Sequence, residues 1–467
     1  MVALITIKEF LAAAASGGIN EEEFIASVSG EVREIQERYA PFITINAAPD
    51  RQGATGALSM LPVSVKDCIC TAGLQTTAGS RILEGYVPPF DATCISRARG
   101  AGAIIIGKTA QDEFGFGTFS TNCAYGVPRN PYDVSRSCGG SSGGAACVAA
   151  AATFPHVAIA ESTGGSITAP AAFTGTVGLT PTYGRVSRYG LIDYSNSMDK
   201  IGIIAKEVYG TALALSAIAG QDPLDQTSAR QPVPDLTRCC GVGVNGMRIG
   251  VPAEYLEGVD EHILSLFNDR IGELEAAGAN VAPTTLPMTR FAVAAYYIIA
   301  MSEASTNLAR YSGMRYGAHE ELAGSFGAYF SKVRGRYFGR EAKRRIILGT
   351  YARAVGFRDA YYLKALRIRR MIVNEFMEAF GRFDLLASPA MPMVAPRFDE
   401  IERITPAQAY SADRLTTAPN MAGMPTISVP TGKVGSMPAG MQLIAGAFQE
   451  HKLIAAAAAA ESMRWMR

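Results

Sequence analysis

Apolar residues recur at near-helical spacing in the first forty positions. Ile7 to Ala15 reads as one helix and Glu21 to Tyr39 as a second, with Phe24, Ile25, Val28, Val32 and Ile35 close to one face. Met1 to Ile7 runs straight into Lys8 and Glu9 with no basic leader, and reads as a helix start. From about residue 61 short apolar runs take over: Leu61 to Val65, Ala103 to Ile106, Val157 to Ala160 and Arg248 to Val251. They alternate with helical segments at Ala92 to Gly100, Ser142 to Ala152, Val208 to Ala219 and Glu261 to Ala277. Strands alternating with helices predict an α/β fold, a mixed central sheet covered by helices on both faces. A helix-rich stretch follows at 289–381. Strand candidates return at Phe383 to Ser388, Thr426 to Pro430 and Gly440 to Ala445, and an Ala-rich helix at Leu453 to Met463 closes the chain. No repeat or low-complexity linker divides the sequence. The organisation predicts one large domain over 1–467, with a helical N-terminal segment (1–55) packed on it and 289–381 as an insertion.

Composition narrows the function. Hydrophobic residues make up 48% and charged residues 18%, which excludes disorder for the bulk of the chain. Forty-three Lys and Arg against 42 Asp and Glu leave a net charge of +1, unlike a dedicated nucleic-acid-binding domain. The longest apolar stretch, Ala145 to Ala160, is broken by Thr153, Pro155 and His156, so no membrane span is expected. Cys68, Cys70, Cys239 and Cys240 lack the spacing of zinc or redox pairs, and the eight cysteines suit a reducing, cytoplasmic compartment. Charge concentrates only at 332–370, where 13 Lys and Arg face Glu341 and Asp359. That stretch reads first as a solvated helix face, and second as a patch for an acidic partner or RNA.

Three motif matches fail on context. Gly102 to Thr109 fits a phosphate-loop pattern, but its middle is Ala-Ile-Ile-Ile, a buried strand. Gly241 to Gly246 fits a dinucleotide-binding pattern but precedes a strand instead of following one. Gly140 to Gly144 contains the G-x-S-x-G elbow of α/β-hydrolases, centred on Ser142. That elbow needs a downstream histidine, and only His451 lies near the C-terminus, between Glu450 and Lys452. The scarcity of histidine, four in all, also argues against a metal site.

What remains is a pair of Gly/Ser segments, Ser137 to Ala146 and Glu161 to Pro170, each preceding a helix and separated by an Ala-rich helix and a strand. Such an arrangement gathers serine hydroxyls and backbone N–H groups at one end of a sheet, where anionic intermediates are held.

With GGSSGG at 139–144, TGGSI at 163–167, PAAF at 170–173, VGL-x-PTYG at 177–184 and PVSVKD at 62–67, the sequence resembles the amidase signature family over most of its length. Within it, DEFGFG at 112–117, EASTNLARYSGMRYG at 303–317, KRRIILGTYA at 343–352 and NMAGMPTISVP at 420–430 are similar to the glutaminase subunits of tRNA-dependent amidotransferases. The resemblance implies a Ser–Ser–Lys triad: Lys66 as base, Ser141 as relay after a cis peptide, and Ser166 as nucleophile. It places an oxyanion hole at the amides of Thr163, Gly164 and Gly165. Glutamine would be read by Arg345 at its α-carboxylate and Asp413 at its α-ammonium, with Tyr296 assisting. A lysine of ordinary pKa ~10.4 is almost wholly charged at neutral pH, so such a base needs burial to favour its neutral form.

By the same resemblance the chain itself holds no metal or cofactor. Amidotransferase subunits B and C would be its partners, the former gripping most of the misacylated Asp-tRNA or Glu-tRNA. ATP and magnesium would act in a partner subunit. The alternative is a free-standing amidase of the same mechanism acting on another carboxamide. Three departures are visible. The usual Lys-Asp-Asn is Lys66-Asp67-Cys68, the usual Asp-Thr-Gly-Gly-Ser-Ile-Arg runs from Ser162 to Thr168, and Ser141 to Ser166 spans one residue more than the usual spacing. They resemble an archaeal-type branch and leave both Ser141 and Ser142 open as the relay.

Overall fold

The computed structural model describes residues 6–50 and 53–464; the helix start read at Met1 to Ile7 lies largely outside them. Thr6 caps the first helix, Ile7–Ala15, in a capping box with Glu9. The second helix, Glu21–Tyr39, is capped by Asn20 and buries Val28, Val32, Ile35 and Tyr39, the face its spacing predicts.

Thirteen strands follow among the described residues: β1 (Phe42–Ile45), β2 (Pro62–Lys66), β3 (Ile104–Thr109), β4 (Arg129–Asn130), β5 (Asp133–Ser137), β6 (Val157–Ser162), β7 (Val177–Thr180), β8 (Lys200–Ala205), β9 (Arg248–Pro252), β10 (Asn280–Thr284), β11 (Leu385–Pro389), β12 (Thr426–Val434) and β13 (Met437–Ala445). Eleven form one sheet in the order β1-β3-β2-β6-β8-β7-β12-β13-β11-β9-β10, while β4 and β5 pair separately. The sheet is mixed. β2 runs parallel to β3 and β6, and β9 runs parallel to β10 and β11. The middle of the sheet, β6 to β13, is antiparallel throughout. The N-terminal segment is therefore not helical alone: β1 gives the sheet an edge, antiparallel to β3.

The Ala-Ile-Ile-Ile run of the phosphate-loop match is a strand. Lys108, at its end, is fully buried and donates to Ile69 O and to Thr76 Oγ1. The stretch 289–381 holds the helices Ala292–Asn307, Phe326–Tyr337, Arg340–Arg353 and Lys364–Arg382. Among the described residues no helix is long and apolar enough to cross a membrane.

Two parallel neighbours place the chemistry. Val63 and Val65 of β2 lie beside Val157 and Ile159 of β6, so both strands deliver their C-terminal ends to the same rim. Both are buried at every position. Between them in sequence runs the helix Gly143–Ala151, made of Gly, Ala, Cys and Val and almost wholly buried. Its Ala145, Ala146 and Ala149 cluster with Ala158 and Ala160 of β6 and with Ile167. Small side chains let this helix lie close to the sheet, which brings the Gly/Ser loop before it onto the rim.

Candidate active site

Lys66 is the last residue of β2, and its side chain is fully buried. Its Nζ makes three hydrogen bonds: to Ser141 Oγ at 2.8 Å, to the carbonyl of Glu161 at 2.9 Å, and to Glu161 Oε2 at 2.8 Å. The first joins the residues expected as base and relay. The third is new: a buried carboxylate sits against the lysine, a partner that nothing in the local sequence announces. The Gly140–Ser141 peptide is cis, as the resemblance implies. Ser142 points elsewhere, donating to Glu161 O at 3.0 Å, and has no hydrogen bond to His451 among the described residues. The elbow reading finds no support in this geometry.

Ser166 lies in the turn between β6 and the helix Thr168–Thr174 and is 8% exposed. Among the described residues its hydroxyl makes no hydrogen bond, to Ser141 included; catalytic hydrogen bonds often tighten only with substrate in place. The N–H groups of Gly164, Gly165 and Ser166 likewise donate to nothing among the described residues. Unpaired donors on a buried turn suit an incoming anion. Glycine is required here by close approach. A Cβ on Gly164 would lie 2.8 Å from the Tyr296 ring, and one on Gly165 would collide with Thr416. Asn420 Nδ2 holds the turn by donating to Thr163 O.

The expected substrate readers form a second cluster. Arg345 projects from the buried face of Arg340–Arg353 and is 2% exposed. Its Nε donates to Glu341 Oε1 at 2.8 Å and its Nη1 to Tyr194 OH at 2.5 Å. The rings of Phe116, Tyr194, Tyr297 and Tyr410 surround the guanidinium at 5.0 to 5.5 Å. Nη2 alone has no partner among the described residues. Asp413 precedes the helix Arg414–Met421, but its carboxylate makes no cap. Its Oδ2 accepts instead from Thr118 Oγ1 and Tyr297 OH, each at 3.1 Å. Burial pushes Asp413 up to about 7, with those two donors opposing the rise. Tyr297, which no motif in the sequence singles out, therefore touches both the arginine and the aspartate. Tyr296 packs on the Gly164 turn instead.

A cavity of about 150 Å³ opens beside Arg345, lined by Phe116, Gly117, Thr118, Arg344 and Tyr410 among others. No triad residue lines it. The arginine cluster and the serines thus stand as neighbouring but separate parts, linked by Tyr194, which touches Arg345 and gives its backbone N–H to Asp199.

Comparison with known proteins identifies the family. The family profile described as Amidase matches residues 35–454. The A subunit of glutamyl-tRNA(Gln) amidotransferase from Persephonella marina is 47% identical over 395 residues, 84% of this chain and 81% of that protein. The protein of the same name from Natranaerobius thermophilus is 41% identical over 98% of this chain and 95% of its own length. The solved structure of the corresponding Thermotoga maritima protein, again the A subunit of glutamyl-tRNA(Gln) amidotransferase, superposes with a TM-score of 0.81 at 34% identity, covering 97% of this chain and 94% of that one. Likeness of that breadth, in sequence and in backbone, leaves one conclusion: the chain belongs to the amidase family, whose signature its Gly/Ser segments carry.

Proposed function

We propose that this chain is the glutaminase subunit of a tRNA-dependent amidotransferase, of the kind its relatives are named for. The observation that carries the substrate class is the pair Arg345, which lines a small cavity, and Asp413, which Tyr297 joins to it. A buried cation and a buried acid joined through one tyrosine match the α-carboxylate and α-ammonium of an amino acid. A plain carboxamide calls for neither.

In this reading Ser166 attacks the side-chain carboxamide. Its proton passes to Ser141 Oγ while Ser141 gives its own to Lys66 Nζ, and the same path returns a proton to the departing ammonia. The amides of Thr163, Gly164 and Gly165, with that of Ser166, take the developing oxyanion. Water then clears the glutamyl ester. Side chains and backbone amides carry these steps. ATP and magnesium would serve amidation of the tRNA on a partner subunit, with subunits B and C completing the complex.

The test is ammonia release from glutamine by the chain alone and with its partner subunits, and conversion of Glu-tRNA(Gln) or Asp-tRNA(Asn) by the complex. Hydrolysis of simple amides with no response to glutamine would favour the free-standing amidase. The relay is tested separately. Ser141→Ala is expected to slow acylation by about 10²–10⁴-fold, the loss typical of a missing proton transfer. Ser142→Ala removes only a bond to Glu161 O, a cost of about 1 kcal/mol in stability, and leaves acylation near the wild-type rate. Rapid-quench acylation rates for both variants decide it; the reverse order would make Ser142 the relay.

A further inference from the structure

The proton path just described does not use Glu161, although its carboxylate lies on the base. Glu161 Oε2 is 2.8 Å from Lys66 Nζ, and Oε1 is 2.7 Å from Thr163 Oγ1. That hydroxyl is also 2.8 Å from Asp199 Oδ1. Asp199 Oδ2 accepts the backbone N–H groups of Tyr194 and Ser195 at 2.8 and 2.9 Å. All four residues are at most 3% exposed.

Thr163 has one hydroxyl hydrogen and two carboxylate oxygens within reach. It donates to one, so the other carboxyl must carry a proton and donate to Thr163. Two arrangements satisfy every contact. In the first, Asp199 is protonated and donates to Thr163, Thr163 donates to Glu161, and Lys66 is an ammonium giving its three hydrogens to Ser141, Glu161 O and Glu161 Oε2. In the second, Glu161 is protonated on Oε1 and donates to Thr163, Thr163 donates to Asp199, and Asp199 holds the charge against two backbone N–H groups. Lys66 is then a neutral amine with two hydrogens for Glu161, and its lone pair accepts from Ser141. Passing from the first to the second shifts one proton from Asp199 through Thr163 to Glu161 and releases one from Lys66 to water.

We infer that Lys66, Glu161, Thr163 and Asp199 form one proton-sharing chain, in which Glu161 and Asp199 are positioning residues that decide whether Lys66 is a base. The inference rests on the Lys66–Ser141–Ser166 reading and extends it. Burial, and next the charge of Glu161, hold Asp199 well above the usual carboxylate range, which fits a proton resident there. Other groups face the chain without bonding to it among the described residues. On the Lys66 side are Cys68, its thiol pushed up by burial, the Lys108–Asp67 pair, and Asp112. On the Asp199 side are Asp193 and Arg188, of opposite sign.

Carboxamides imitate the two protonated acids. Glu161→Gln presents an N–H to Thr163 and an oxygen to Lys66, which fixes the second arrangement. Asp199→Asn presents an N–H to Thr163 and an oxygen to the backbone, which fixes the first. The experiment follows the rate of Ser166 labelling by a fluorophosphonate in the full-length chain from about pH 5 to pH 10, read by mass spectrometry. The midpoint of the rising acid limb is expected to move down by about 1–3 units in Glu161→Gln, the scale of losing an adjacent opposite charge. It is expected to move up in Asp199→Asn. Midpoints that stay at the wild-type value, or move in the same direction, overturn the chain. If Glu161→Gln does not fold, the Asp199→Asn midpoint decides in the same way. A wild-type chain that is never labelled overturns the Ser166 reading itself; labelling with unmoved midpoints overturns only the chain.

Discussion

Lys66→Ala is expected to abolish acylation of Ser166 while the chain stays folded. Lys66 Nζ is the one basic group hydrogen-bonded to Ser141, and nothing else among the described residues stands ready to take its proton. Removing the base of an activated serine costs about 10⁶-fold in related chemistry, because nucleophile and base act as a unit. The substitution also leaves Glu161 without its cation. Breaking a buried pair costs roughly 3–5 kcal/mol when the remaining charge persists, and Thr163 Oγ1 still lies 2.7 Å from Glu161 Oε1. A lower Tm with an intact circular-dichroism spectrum is therefore the expected stability result, and Lys66→Met restores part of the lost volume if Ala proves too severe. His451→Ala should leave acylation unchanged. Acyl-enzyme mass after mixing with substrate reads both variants. Activity within about tenfold of wild type, a barrier change of about 1.4 kcal/mol, would remove Lys66 from the mechanism.

The difference between what the chain announces and what it conceals is one of range. Ser141, Ser166 and the Gly164–Gly165 turn sit in local Gly/Ser runs whose composition signals them, and Lys66 follows a strand that reads as one. Glu161 is in plain sight as the first residue of a Gly/Ser segment, but its partner Lys66 lies 95 residues away, and Asp199, which meets it through Thr163, comes only later in the chain. No periodicity encodes such meetings. Tyr297 shows the same limit at the scale of one residue. Neighbours on the helix Ala292–Asn307 point about 100° apart, so Tyr296 packs on the glycine turn while Tyr297 reaches Arg345 and Asp413. The strands are uneven in the same way. β2, β3 and β6 are buried at every position and each carries an apolar run, whereas β1 is four residues at an edge and β10 carries Asn280, Pro283 and Thr284 at the opposite edge, beside β9. Edge strands need less burial and so leave a weaker trace.

Arg345→Ala should cost glutamine far more than it costs a simple aliphatic amide. If Nη2 takes the α-carboxylate, the variant leaves that carboxylate buried and unpaired, worth roughly 3–5 kcal/mol, or about 10²–10⁴-fold in kcat/KM. An amide without the carboxylate never used the arginine. Glu341 is not stranded by the change, because Tyr410 OH still donates to Oε1 at 2.6 Å and Arg344 still pairs with Oε2. The fold is thus protected from the most obvious secondary damage. Asp413→Asn should show the same selectivity toward the α-ammonium. Its wild-type charge adds a pH signature with a definite sign. A carboxyl held at about 7 is ionised above that pH and neutral below it. Glutamine KM should therefore rise as pH falls through about 7, while KM for the aliphatic amide stays flat and the Asp413→Asn variant loses the dependence. The measurement is kcat/KM and KM for both amides across pH, in wild type and both variants, with the partner subunits present. Equal losses on the two amides would make Arg345 a structural residue. A KM for glutamine that ignores pH would take Asp413 out of the pocket.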